Sequence, residues 1–163
     1  MTNTEYLCKA KRTDNDEWVT GCLLVFDDEY RIATSCLQST LEDEPDAVLE
    51  VCTYKVDPST ICRCVGIEDK TGNLVWENDI IEKEFYTDYN AYANSEKYAG
   101  VVRWSSLRAW EIETERGSRF LANELEFTDF KNHCKVVGNV FDNPELLEEI
   151  GIKKEPDMED MEL

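Results

Sequence analysis

The sequence predicts a mainly β chain, β-rich α+β in class, with little helix. Three observations carry this prediction. Apolar and polar residues alternate at period two through many short stretches. Turn signals built from Gly, Asn, Asp and Pro recur between those stretches. A clear helix start occurs only near the C-terminus, at Asn143-Pro144. Hydrophobic residues are 42% of the 163, enough to bury a core in one domain or two small lobes.

Residues 4–12 alternate Tyr6, Cys8 and Ala10 with charge and read as a half-buried strand. Asp14-Asn15-Asp16 supplies a turn, because Asn and Asp side chains satisfy turn backbone and tolerate positive φ. Trp18 to Phe26 returns as the second arm of an N-terminal hairpin, and residues 30–33 pair again after Asp27-Asp28. The acidic stretch 35–48 reads as a loop. Residues 49–56 form a strand with Val51, Thr53 and Lys55 on one face and Cys52, Tyr54 and Val56 on the other. Pro58 breaks it, since proline cannot donate a ladder hydrogen bond. Residues 61–67 are extended, and Gly72 closes a hairpin turn toward 74–76. A second tight turn at Glu77-Asn78-Asp79 leads to 80–85. Residues 86–99 lack a clean period and read as a long Tyr-rich loop containing Tyr89 and Tyr92. Segments 100–104, 109–115 and 136–140 are strands. Segment 120–125 pairs or turns. A short helix spans 145–150, with Asn143 as N-cap, Pro144 in its first turn and Gly151 at its end. Ile67, Leu74, Trp76, Ile80, Val102, Trp104, Ile112 and Val140 are the expected core of the second half. Residues 153–163 form an acidic tail.

Seven cysteines, an odd number, argue against a disulfide framework. Cys62-Arg63-Cys64 is the single close pair. Structural zinc sites use wider C-x₂₋₄-C pairs, so the expected metal and cofactor content is none. His133 is the lone histidine and stands beside Cys134. If the two are adjacent strand residues, they point to opposite faces and do not form a Cys–His pair. No phosphate-binding glycine loop, dinucleotide fingerprint or H-E-x-x-H motif is present. The expectation is a protein without catalytic residues. Residues 1–10 carry Glu5 and Lys9 and no apolar core, which argues against export and for a cytoplasmic protein, and no apolar run reaches membrane-spanning length.

Two segments resemble the YopX family of phage and prophage proteins. The first, Val56-Asp57-Pro58-Ser59-Thr60 through Thr71-Gly72-Asn73-Leu74 to Glu77-Asn78-Asp79-Ile80, is similar to its V-D-P-x-T, glycine-turn and E-G-D-I-V pattern. The second, Val137-Gly138-Asn139-Val140-Phe141-Asp142-Asn143-Pro144-Glu145-Leu146-Leu147, is similar to its I-G-N-I-Y-E-N-P-E-L-L ending. Asn78 replaces the usual glycine and is the side chain that best tolerates positive φ. The resemblance implies an N-terminal β-hairpin region over 1–66, a small SH3-like barrel with a short C-terminal helix over 67–152, and the tail over 153–163. It further implies a phage origin in the cytoplasm of a bacterial host, and self-association into a homo-oligomer. It implies no activity.

Charge is the remaining signal. Lys+Arg number 17 against 36 Asp+Glu, a net charge of -19. That excludes an ordinary nucleic-acid or membrane binder on composition, and exceeds the magnitude of about 2–8 that solubility of a small domain needs. The acids cluster at Glu42, Asp43, Glu44 and Asp46, near Glu77, Asp79, Glu82 and Glu84, and along Glu111, Glu113 and Glu115. On a strand, residues two apart are about 6.5–7 Å apart, close to the phosphate spacing of a nucleic-acid strand. The expected function is therefore a non-enzymatic acidic inhibitor of a host nucleic-acid-handling protein, such as a CRISPR or restriction effector, acting by mimicry or groove blocking with no direct nucleic-acid contact. Its expected contacts are those clusters at 42–46 and 111–115 together with Tyr89 and Tyr92. The alternative is a small-ligand-binding or structural oligomeric module using the Tyr-rich loop and Arg103, Arg108, Arg116 and Arg119.

Overall fold

The computed structural model of the chain describes residues 4–36, 50–86, 95–121 and 124–152. It is mainly β, with two antiparallel sheets and few helices. The chain divides into two units, Met1–Gly66 and Ile67–Leu163.

In the first unit a 3-10 turn, Thr4–Tyr6, precedes β1 (Cys8–Lys11). Tyr6 is therefore 70% exposed rather than part of the alternating strand face that period two predicts. β2 (Trp18–Phe26), β3 (Glu29–Cys36), β4 (Glu50–Lys55) and the start of β5 (Cys62–Glu68) complete a sheet ordered β4-β3-β2-β1-β5. The first hairpin closes as its residues dictate. Asp16 takes φ 60, Asn15 Oδ1 accepts from the Glu17 N–H, and the Arg12 N–H donates to the Glu17 carbonyl. Ala10, Ile32 and Val56 form the core, with Cys8, Val19, Tyr30 and Ile61 against them. After β4 the Val-Asp-Pro-Ser-Thr stretch makes a second 3-10 turn, Pro58–Thr60. Asp57 caps it by accepting from the Ser59 N–H at 2.9 Å. The buried Thr60 hydroxyl donates to the Asp57 carbonyl and accepts from the Lys11 N–H. The motif thus anchors this turn to β1.

Cys52 is disulfide-bonded, although the odd cysteine count argues against a disulfide framework. An odd count excludes complete pairing but not a single bond. Cys8, Cys22, Cys62, Cys64 and Cys134 are thiols outside any disulfide.

In the second unit β6 (Leu74–Trp76) is followed by β7 (Asp79–Tyr86), β8 (Ser95–Trp104), β9 (Trp110–Thr114) and β10 (Gly117–Phe120). Helix α1 (Glu124–His133), β11 (Cys134–Asn139) and α2 (Pro144–Glu149) complete it. The sheet order is β10-β9-β8-β7-β11. Among the described residues this sheet is open, with β10 and β11 at its edges, so the barrel closure implied by the resemblance is not seen in their strand pairing. Two elements also depart from the sequence reading. β8 begins at Ser95, because 95–99 pair with 82–86 of β7 despite their polar composition. Helix α1 starts inside the segment 120–125 read as pairing or turning and runs on through residues given no element, since Leu125, Phe127 and Phe130 mix both periods.

Register divides the side chains between two faces. Ile80 lies opposite Val101, and Val101 opposite Glu113. That face carries the core of Ile80, Val101, Leu147 and Ile152, joined by Val137, Val140, Leu146 and Ile150, so α2 packs on it. The other face presents Ile81, Val102 and Ile112, all buried. Trp76 is also buried. Ile67, Leu74 and Val140 are half-buried, and Trp104 is 38% exposed because it sits at the β8–β9 end, edge-on to Trp110.

Three polar devices hold the turns. The buried Asp69 accepts from the Thr71 N–H, Thr71 hydroxyl and Asn73 N–H on one oxygen and from the Val136 N–H on the other. Its turn is thereby fastened to β11. Asn78, at φ 69, donates its N–H to Val102, accepts from the Val140 N–H, and holds Arg103 Nη1 on its side chain. Asn143 stands at the N-cap of α2, but its side chain makes no capping hydrogen bond; its Oδ1 accepts from the Asn139 N–H instead. Gly138 packs against that side chain, and any Cβ there would run into it.

Burial works to raise the Asp69 pKa, but the four donors outweigh it and hold the carboxyl below its ordinary value. A depressed carboxylate stabilises the fold above its unfolded pKa and loses that contribution as pH falls through the folded one. Asp69→Asn is expected to flatten the acid limb of stability below about pH 4 and Asp69→Ala to cost about 3 kcal/mol or more, both read by urea unfolding. Unchanged midpoints would refute the role of this carboxylate.

Candidate functional site

The acidic side chains of the second unit are among the sequence candidates. β9 places Glu111 and Glu113 on one face, as period two requires. That face is not a solvent stripe. Both residues are half-buried, because they share the side of the sheet on which α2 packs. Glu113 accepts from Arg103 Nε at 3.2 Å, and Glu111 lies in register with Arg103. Arg103 therefore offsets part of the negative charge of the pair. Glu115 lies beyond the end of β9, is exposed, and sits against Gly151 just past the end of α2. α2 itself ends in exposed Glu148 and Glu149, where the helix carbonyls disfavour negative charge. Glu115, Glu148 and Glu149 are thus exposed acids around the C-terminal end of α2, a grouping that the sequence reading did not single out. Glu42, Asp43, Glu44, Asp46, Tyr89 and Tyr92 lie outside the described residues. Of the remaining acidic cluster, Asp79 is buried and accepts from the Trp76 N–H at 2.8 Å, which makes it a turn residue.

Sequence reasoning also missed a charged cluster between α1 and the sheet. Lys83 projects from β7 on the face that bears Ile81, and its side chain is only 6% exposed. Its ammonium donates to Asp129 Oδ2 on α1. His133 Nδ1 lies 3.0 Å from Asp129 Oδ1 and 3.0 Å from the Asp129 carbonyl oxygen. Cys134 pairs in register with Lys83. His133 is the last residue of a helix and Cys134 the first of a strand, so the expected divergence of two strand neighbours does not apply. No signal in the sequence could have found this cluster, since α1 is unreadable and the pair is 46 residues apart.

Its chemistry is that of a staple. Burial pushes the Cys134 thiol up to about 12, so it is protonated at neutral pH and a poor nucleophile. Burial alone would raise the Asp129 pKa. The hydrogen bond and charge of Lys83, followed by His133, reverse that and keep the carboxyl ionised. A cation and a carboxylate on opposing elements tie α1 to the sheet beside the fully buried Phe130. Among the described residues no helix is long and apolar enough to cross a membrane, and no group of three metal-ligating side chains comes together.

The structural motifs on which the resemblance rests now have physical roles in the turn at Pro58–Thr60, the Asp69–Asn73 turn and the Gly138–Asn143 contact. The chain matches the YopX protein family over residues 9–148. It belongs to the YopX family. A comparison with curated proteins finds no match. The family match spans both units, and the glycine and asparagine positions of its pattern serve turns and close contacts in this YopX-family protein.

Asp129→Asn is expected to destabilise the protein by about 1–3 kcal/mol. The lower end of the range for breaking an ion pair applies because the Asp129 side chain is 46% exposed. Guanidinium unfolding checks this. Native-state alkylation at pH 8 is expected to label Cys22, which is exposed, and to spare Cys134.

Proposed function

We propose that this YopX-family protein works without catalysis, in the cytoplasm of a bacterial host, as an acidic inhibitor of a basic nucleic-acid-handling protein. A CRISPR or restriction effector is the kind of target whose groove such a surface blocks. The observation that supports the reading is the net charge of -19, a large excess over what solubility needs. The exposed acids Glu115, Glu148 and Glu149 around the end of α2 add to it, since carboxylates at a helix C-terminus work against local stability. Complementary charge steers association and blocks competing anions from the same groove. Exposed charges are screened beyond about 8 Å at physiological salt, so this steering is salt-sensitive.

A host partner isolated at low salt and purified provides the test. DNA or RNA is expected to displace the protein from that partner, with the association rate falling about tenfold or more as salt rises. Charge reversal at Glu115, Glu148 and Glu149 is expected to slow association more than reversal at Glu113, whose charge Arg103 already offsets. A ternary complex of partner, nucleic acid and this protein, formed without salt dependence, would refute the reading.

A further inference from the structure

One lysine of the second unit is held apart from water. Lys83 sits on β7, which is paired on both sides, to β8 and to β11. Its side chain is buried on the face that carries Ile81, and the buried Cys134 stands opposite it in register. Its ammonium donates to Asp129 Oδ2 on α1. The other oxygen of the same carboxyl, Oδ1, has His133 Nδ1 at 3.0 Å. Asp129 and His133 lie one helical turn apart on α1, so their meeting is set by the helix itself. A buried amine, a carboxyl and an imidazole thus converge on one carbon atom, Asp129 Cγ. The pairs Lys11–Asp16, Lys55–Glu29 and Lys131–Glu68 lie nearer the solvent.

We propose that Lys83 and Asp129 join in an intramolecular isopeptide bond, a covalent cross-link of β7 to α1. A nitrogen hydrogen-bonded to a carboxyl oxygen stands about 3–3.5 Å from the carboxyl carbon, which is near-attack range. The ion pair is the resting state. Loss of water around a charge is costly, which narrows the gap between the ion pair and the neutral amine and carboxylic acid that react. Proton transfer from Nζ to the carboxylate gives that neutral pair. The Nζ lone pair then forms a bond to Cγ, and the Cγ–Oδ1 bond breaks. Oδ1 leaves as water, taking the transferred proton and the second one that Nζ sheds. His133 Nδ1, beside Oδ1, delivers the proton as general acid. One ammonium and one carboxylate become one amide and one water, so the step needs no oxidant, reductant or cofactor. The Asp129 side chain is half-exposed, which gives the water a way out. Groups held in this way reach effective concentrations of about 10⁵ M or more, well above that of water, so the joined state wins over hydrolysis. The bond makes the staple between α1 and the sheet permanent.

The test uses the full chain alone, with no partner protein, so its result is independent of the inhibitor reading. Mass spectrometry of the reduced, denatured chain is expected to give a mass lower than that of the sequence by one water. Fragmentation of a tryptic digest is expected to show a branched peptide joining residue 83 to residue 129. Lys83→Arg keeps a cation beside Asp129 but removes the nucleophilic amine, so its mass is expected to equal that of its own sequence. His133→Ala is expected to slow the joining about tenfold or more, read as the joined fraction at set times after induction. The full sequence mass in the wild-type chain, with folding verified by circular dichroism, would overturn the proposal. So would a missing water that persists in Lys83→Arg, or one that fragmentation places in an aspartyl succinimide. An unchanged rate in His133→Ala would overturn the role of the imidazole.

Discussion

The carboxylate of Asp69 organises the second unit more than any apolar contact does. It is buried, yet it stays charged because four donors converge on it, three from its own turn and one from Val136 on β11. A buried ion is tolerated only when its lone pairs are filled. The requirement therefore runs both ways: the turn must close tightly enough to supply Thr71 and Asn73, and β11 must lie where Val136 reaches. The Lys70 N–H adds a bond to the Cys134 carbonyl, at the point where α1 gives way to β11. Placing β11 beside β7 then sets the bulge between Val136 and Gly138, the Gly138–Asn143 contact and the start of α2.

The same logic separates two kinds of charge in this protein. Asp69, Asp79 and Asp129 have fixed partners and serve the fold. Asp27 and Asp28 at a hairpin turn, and Glu115, Glu148 and Glu149 around the end of α2, face water. Net charge does not distinguish these populations. A composition of -19 describes the far field of the molecule, and screening limits that field to about a Debye length from each surface.

Much of the fold was legible. Period-two alternation located most strands, and the positive-φ residues Gly72 and Asn78 located their turns, because those signals are local. The short helix at Pro144 was legible from its first turn, although Asn143 spends its side chain on Asn139 rather than on the cap. Helix α1 was not, since its apolar residues fit two periods and its stability comes from Phe130 and Asp129 meeting the sheet. Strand 95–99 was hidden for a related reason: its backbone is held by pairing with β7, whatever its side chains are. For the candidate site, alternation correctly put Glu111 and Glu113 on one face. It did not reveal that α2 packs on that same face or that Arg103 answers Glu113.

The sequence by itself determined the β-rich class, the turns and the family, because glycine, asparagine and proline act through backbone preferences that need no distant partner. Tertiary structure alone decided which charges are spent and which are presented. Lys83 finds Asp129, and Arg103 finds Glu113, only when strand register and helix docking bring residues far apart in the chain within hydrogen-bond reach. A side chain's charge is a local property. Its availability depends on what the fold places beside it.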